Sequence, residues 1–182
     1  MERQVLLVSI LIITLLVNCG FKNNISIEKK YREAFNHIKN SDSSLSYFNE
    51  NFDSNIECIK VSDQIVFMEI ANFFDFFKQR LHHMSDIEVL DSLEAIDKNR
   101  YFESYTNRTL TMLSDCKEIK ALLFFTKPFD DKLLAELFVV DKNQEVLKYD
   151  DLTLFNESLM YLFFFDDTES IKEVVTTNII YN

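Results

Sequence analysis

SLMYLFFFDDTESIKEVVTTNII, residues 158–180, is the stretch whose reading decides the fold. It holds two short runs rich in aromatic and β-branched residues, separated by DDTES at 166–170. Runs of this kind, bounded by turn residues, read as strands. In the second run Ile171, Glu173, Val175, Thr177 and Ile179 share one face; Lys172, Val174, Thr176, Asn178 and Ile180 share the other. That alternation predicts a half-solvated strand. The first run is apolar on both faces and predicts a covered one.

Upstream, EIKALLFFT (118–126) and LLAELFVV (133–140) have the same character and are joined by KPFDDK. The four runs together predict an antiparallel meander. Before them the period changes. Within SIEKKYREAFNHIKNSD (26–42), Tyr31, Phe35 and Ile38 form one apolar stripe behind Ser26 as N-cap. NIECIKV (55–61) alternates weakly, as an edge strand or a loop does. In SDQIVFMEIANFFDFFKQRLHHM (62–84), Val66, Ile70, Phe73, Phe77, Leu81 and Met84 recur at helical spacing, predicting one central helix. Ser85 and Glu88 stand in capping-box spacing and open a third helix over 85–97. The expected class is α+β, with N-terminal helices packed on one side of a C-terminal antiparallel β-meander. That order, helices first and then a long bent sheet, resembles cone-shaped α+β folds of the nuclear transport factor 2 type.

Composition narrows function more by exclusion than by assignment. The net charge is −11, which argues against nucleic acid and against electrostatic docking on anionic lipid. It suits a soluble acidic surface, cations or a basic protein partner. Gly20 is the one glycine and Pro128 the one proline. No glycine-rich phosphate loop, dinucleotide fingerprint or nucleophile elbow exists, because each needs backbone that approaches a ligand closely. Turns must be built from Asn, Asp and Ser. No cofactor is expected.

The N-terminus speaks to location. Val5–Val17 is an apolar run of 13 residues. At 1.5 Å per residue a helix of that length reaches about 20 Å, short of the roughly 30 Å hydrocarbon core. It fits the apolar region of a signal peptide. The following Leu16-Val17-Asn18-Cys19 resembles a bacterial lipoprotein signal, in which the cysteine receives lipid. Asn18 departs from the small residue usual before that cysteine. The resemblance implies a signal peptide over 1–18, lipidation at Cys19, a polar tether over 19–26, and a single α+β domain over 27–182. The alternative is an uncleaved amphiphilic start helix with Cys19 an ordinary buried thiol. FFTKPFDDKLLAEL (124–137) and YLFFFDDTESIKEV (161–174) are also similar in style to stretches of uncharacterised lipoproteins of Bacteroidota.

Candidate site residues are few. Cys58 and Cys116 would close a long loop if bridged in an oxidising compartment; as two free buried thiols they would pack as small apolar groups. In an up-down meander Asp130-Asp131 and Asp166-Asp167 fall at one end of the sheet, where four carboxylates would start a hard-cation site. Equally, aspartate there does glycine's work in turns. Phe73, Phe74 and Phe77 would line an apolar ligand pocket between helix and sheet, or simply fill the core. His82-His83, adjacent on a helix, point about 100° apart and do not share a metal readily. No Ser-His-Asp order is recognisable. The expected function is a lipid-anchored envelope protein acting as a binding module, with a basic protein partner. The alternatives are a small-molecule carrier or enzyme with a Phe-lined pocket, and a structural envelope component.

Overall fold

The computed structural model describes residues 27–41, 58–114, 121–140, 148–154 and 157–181. In chain order the strands are β1 (Ile59–Ile65), β2 (Tyr105–Thr106), β3 (Ala121–Phe125), β4 (Lys132–Val139), β5 (Glu157–Phe165) and β6 (Ile171–Ile180). The helices are α1 across 27–40, α2 (Phe74–Arg80), α3 (Asp86–Arg100) and α4 (Tyr149–Leu152), with 3-10 segments at Ile70–Phe73 and Arg108–Leu113. The fold is α+β.

The strands form a six-stranded sheet in the order β2-β1-β3-β4-β5-β6. From β3 to β6 it is the expected antiparallel meander, in registers such as Leu123↔Leu137, Leu137↔Leu159 and Leu162↔Val175. The exception is β1, which lies parallel to β3 with Ile59 opposite Ala121. NIECIKV therefore contributes its last three residues to a strand rather than a loop, paired there with β3, while β2 flanks β1 only at Gln64 and Ile65.

The expected helix over 62–84 is corrected. Residues 62–65 belong to β1, and Val66 continues it by donating its N–H to the Phe125 carbonyl at 3.0 Å. Residues 66–69 have no regular structure, Glu69 is extended, and the chain then turns through the 3-10 segment and becomes α-helical only at Phe74. The reason is long-range. Asp97, on α3, accepts the backbone N–H groups of Ile70 (2.9 Å) and Ala71 (3.1 Å), so the helix start is set 27 and 26 residues away. Local periodicity does not see this. The third helix is as expected: Ser85 and Glu88 make the reciprocal capping box.

The expectation of helices on one side of the sheet is also corrected. Tyr31, Ala34, Phe35 and Ile38 of α1 pack on one face with Leu123, Leu137, Tyr161 and Phe163. Phe73 of the 3-10 segment and Val89 and Leu93 of α3 pack on the other with Phe124, Leu134, Phe138 and Leu162. Double coverage is why β3, β4 and β5 are apolar on both faces. Each fully buried Phe contributes about 2 kcal/mol by removal from water.

At one end of the sheet α1 is fastened to two hairpin turns. Lys29 Nζ donates to the Thr168 carbonyl at 2.6 Å, and Lys30 Nζ to the Asp130 carbonyl at 3.1 Å. Those turns contain Asp130 (φ 48°) and Glu169 (φ 63°), left-handed positions filled without glycine. The β5–β6 register shifts between Phe164, opposite Glu173, and Phe165, opposite Ile171. Lys172 is therefore the extra residue of a bulge. Ile171 consequently packs with Val174 on the α1 face, not with Val175 and Ile179 as strict alternation predicts.

Candidate functional site

α3 presents the candidate interaction surface. Its inner side carries Val89, Leu93 and Asp97, all buried. Asp97 also pairs with Arg100, whose Nε and Nη2 donate to Asp97 Oδ1 at 2.9 and 2.6 Å. Both side chains are nearly inaccessible, at 9 % and 10 % exposure. Arg100 Nη2 donates further to the Met68 carbonyl, and the guanidinium lies over the rings of Phe67 (4.9 Å) and Phe129 (4.3 Å). The charge is thus buried with a carboxylate, a carbonyl and two aromatic faces around it, which offsets its desolvation. This clamp fixes the rotation of α3 on the sheet.

With Val89, Leu93 and Asp97 inward, Ile87 and Leu90 point out, 72 % and 40 % exposed. Acidic groups surround them. Asp86 pairs with Lys78 at 2.6 Å and Glu88 is held by the Ser85 N–H and hydroxyl. The Ser85 donors, backbone first, hold the Glu88 carboxyl below the usual range. Asp91 and Glu94, both exposed, make no ion pair among the described residues. Helical spacing places Ile87, Leu90, Asp91 and Glu94 on one outward face.

A second polar assembly lies inside the fold. Glu136, at the middle of β4, is fully buried. Its Oε2 accepts the Tyr149 hydroxyl at 2.6 Å; its Oε1 accepts the Tyr181 hydroxyl at 2.7 Å and also the Ser158 hydroxyl. The two phenol oxygens are 3.5 Å apart. Phe124 and Phe138 meet the Tyr149 ring edge-on, and Phe138 stacks on Tyr181. Burial pushes the Glu136 carboxyl up, against the three hydroxyl donors. Burial, and then the Glu136 charge, push the Tyr149 and Tyr181 phenols up. The arrangement is a clasp. It ties α4 and the residue after β6 to the centre of the sheet, with both carboxylate oxygens occupied. Sequence reading passed over it, although one signal stood in view: a lone Glu inside LLAELFVV.

The residues singled out from sequence fare differently. Cys19 and Cys116 lie outside the described residues; Cys58 is disulfide-bonded. The turns holding Asp130-Asp131 and Asp166-Asp167 do meet, the Phe165 N–H donating to the Asp131 carbonyl at 2.8 Å. The carboxylates of Asp131 and Asp166 are engaged separately. Asp131 pairs with Lys132, while Asp166 Oδ1 accepts the N–H groups of Thr168 (2.8 Å) and Ser170 (3.0 Å). Among the described residues no group of three His, Cys, Asp or Glu is placed to hold a metal ion. Phe73 is core; Phe74 and Phe77 are half-buried against the same cluster. His82 and His83 are exposed, their rings edge-to-face.

A cleft of about 430 Å³ lies elsewhere, between α1 and Arg108–Leu113. Tyr31, Phe35 and Leu110 line it together with Glu28, Arg32 and Asn36. It is open to solvent and mixed in character.

No protein-family model, no curated protein and no solved structure matches this chain.

Proposed function

We propose that this is a lipid-anchored envelope protein whose folded domain binds a basic protein partner through the outward face of α3. The observation that carries the reading is the exposure of Ile87 and Leu90 on a clamped helix, beside Asp91 and Glu94, which make no ion pair among the described residues. Apolar side chains beside carboxylates that no cation engages suit a partner segment with apolar anchors among Lys and Arg. The net charge of −11 would speed such an encounter. Cys19 would supply the attachment, with residues 1–18 removed and a tether over 19–26. Stable attachment follows if two or more acyl chains are added.

The test is a titration of the full chain with an amphipathic Lys/Leu helical peptide, compared with an Asp91→Lys/Glu94→Lys variant. Binding that weakens with salt, and at least tenfold with the variant, supports the reading. Equal binding by both proteins removes α3 from it.

A further inference from the structure

Among the described residues β6 is an edge of the sheet, paired on one side with β5. Sheet edges expose backbone donors and acceptors, and monomers blunt them with charge, proline or bulges. Here those devices stand only at the first residues. Lys172 sits in the bulge, and Glu173 is paired with Arg80 at 2.5 Å. Beyond them VVTTNII, residues 174–180, has no charge, no proline and no glycine. Its apolar side chains are incompletely covered: Val174, Val175 and Ile179 are half-buried and Ile180 is 65 % exposed.

The pattern of this segment indicates what would cover it. Its residue types are symmetric about Thr177: two apolar, three polar, two apolar. An antiparallel pairing of two copies centred there sets Val174 against the partner's Ile180, Val175 against the partner's Ile179, Thr176 against the partner's Asn178, and Thr177 against the partner's Thr177. Apolar meets apolar and polar meets polar. A two-fold axis perpendicular to the sheet keeps the faces matched, since directly opposed antiparallel residues share a face. The acidic surface opposes self-association in general, yet this register sets no two like charges opposite one another. We infer that β6 is a homodimerisation edge that joins two sheets into one through residues 174–180.

Sedimentation velocity of the full chain in mild detergent tests this directly, with Thr177→Lys and Thr177→Glu beside the wild type. Position 177 faces itself across the axis, so either substitution opposes like charges, whereas mixing the two variants opposes unlike ones. The expected result is a wild-type dimer, a monomer for each variant alone, and a dimer restored in the equimolar mixture. Far-UV circular dichroism checks that each variant is folded. If position 177 does not tolerate charge, Ile180→Glu at its exposed site carries the same test, with a monomer expected. A wild type that is monomeric at every concentration overturns the inference, as does a dimer that survives these substitutions.

Discussion

Glu136 Oε2 accepts a 2.6 Å hydrogen bond from the Tyr149 hydroxyl, joining the middle of β4 to the short helix α4. Ser158 and Tyr181 donate to the other oxygen, so one buried carboxyl serves three hydroxyls. Glu136→Ala leaves all three without that acceptor and is expected to cost about 3 kcal/mol in urea unfolding. Glu136→Gln keeps the shape and one acceptor oxygen and should cost clearly less.

The same carboxyl has a pH signature. Burial raises its folded pKa above the ordinary glutamate value. Between those two values the folded state binds more protons than the unfolded state, so this group's contribution is greatest below the ordinary value. It is lost as pH rises through the raised folded value. Unfolding free energy measured against pH should fall less steeply across that window in Glu136→Gln than in the wild type. Identical slopes would mean that Glu136 titrates alike in both states.

The clamp on α3 makes a separate prediction. Asp97→Ala removes the acceptor for two backbone N–H groups and strands the nearly buried Arg100 guanidinium. Breaking a buried pair from one side costs about 3–5 kcal/mol. Arg100→Lys should also destabilise, because an ammonium cannot reproduce the two-nitrogen contact or lie flat on Phe67 and Phe129. Chemical denaturation of both variants checks this. A surface ion pair would show less than about 1 kcal/mol in each.

Cys58 is disulfide-bonded, and the sequence offers Cys19 and Cys116 as its partners. β1 and β3 run parallel with Ile59 opposite Ala121, so both strands are entered from the same end of the sheet. Cys58 immediately precedes β1, and Cys116 comes shortly before β3. A non-reducing peptide map is expected to link Cys58 with Cys116, and on the chain-entropy model that bridge stabilises by about 4 kcal/mol. Recovery of a Cys58–Cys19 peptide would contradict both this pairing and lipidation at Cys19.

What the sequence made legible were features whose cause is local. The strands of the meander announce themselves as apolar runs, and the start of α3 as Ser85 with Glu88 three positions on. Features with distant causes stayed hidden. Val66, Ile70, Phe73 and Phe77 carry a helical period, yet the helix begins only at Phe74 because Asp97 and Arg100 capture the chain before it. The clasp joins residues 136, 149, 158 and 181, which no short window spans. The outward face of α3 became readable only once the clamp had fixed which side is inward.

Lipid attachment at Cys19 is the claim on which the proposed setting depends. The most direct measurement is the intact mass of the protein from a host membrane fraction, beside Cys19→Ala. The account predicts a chain lacking residues 1–18 and carrying added acyl mass, with both changes abolished by the substitution. An unprocessed chain of unmodified mass, the same apart from the substitution in both samples, would contradict it.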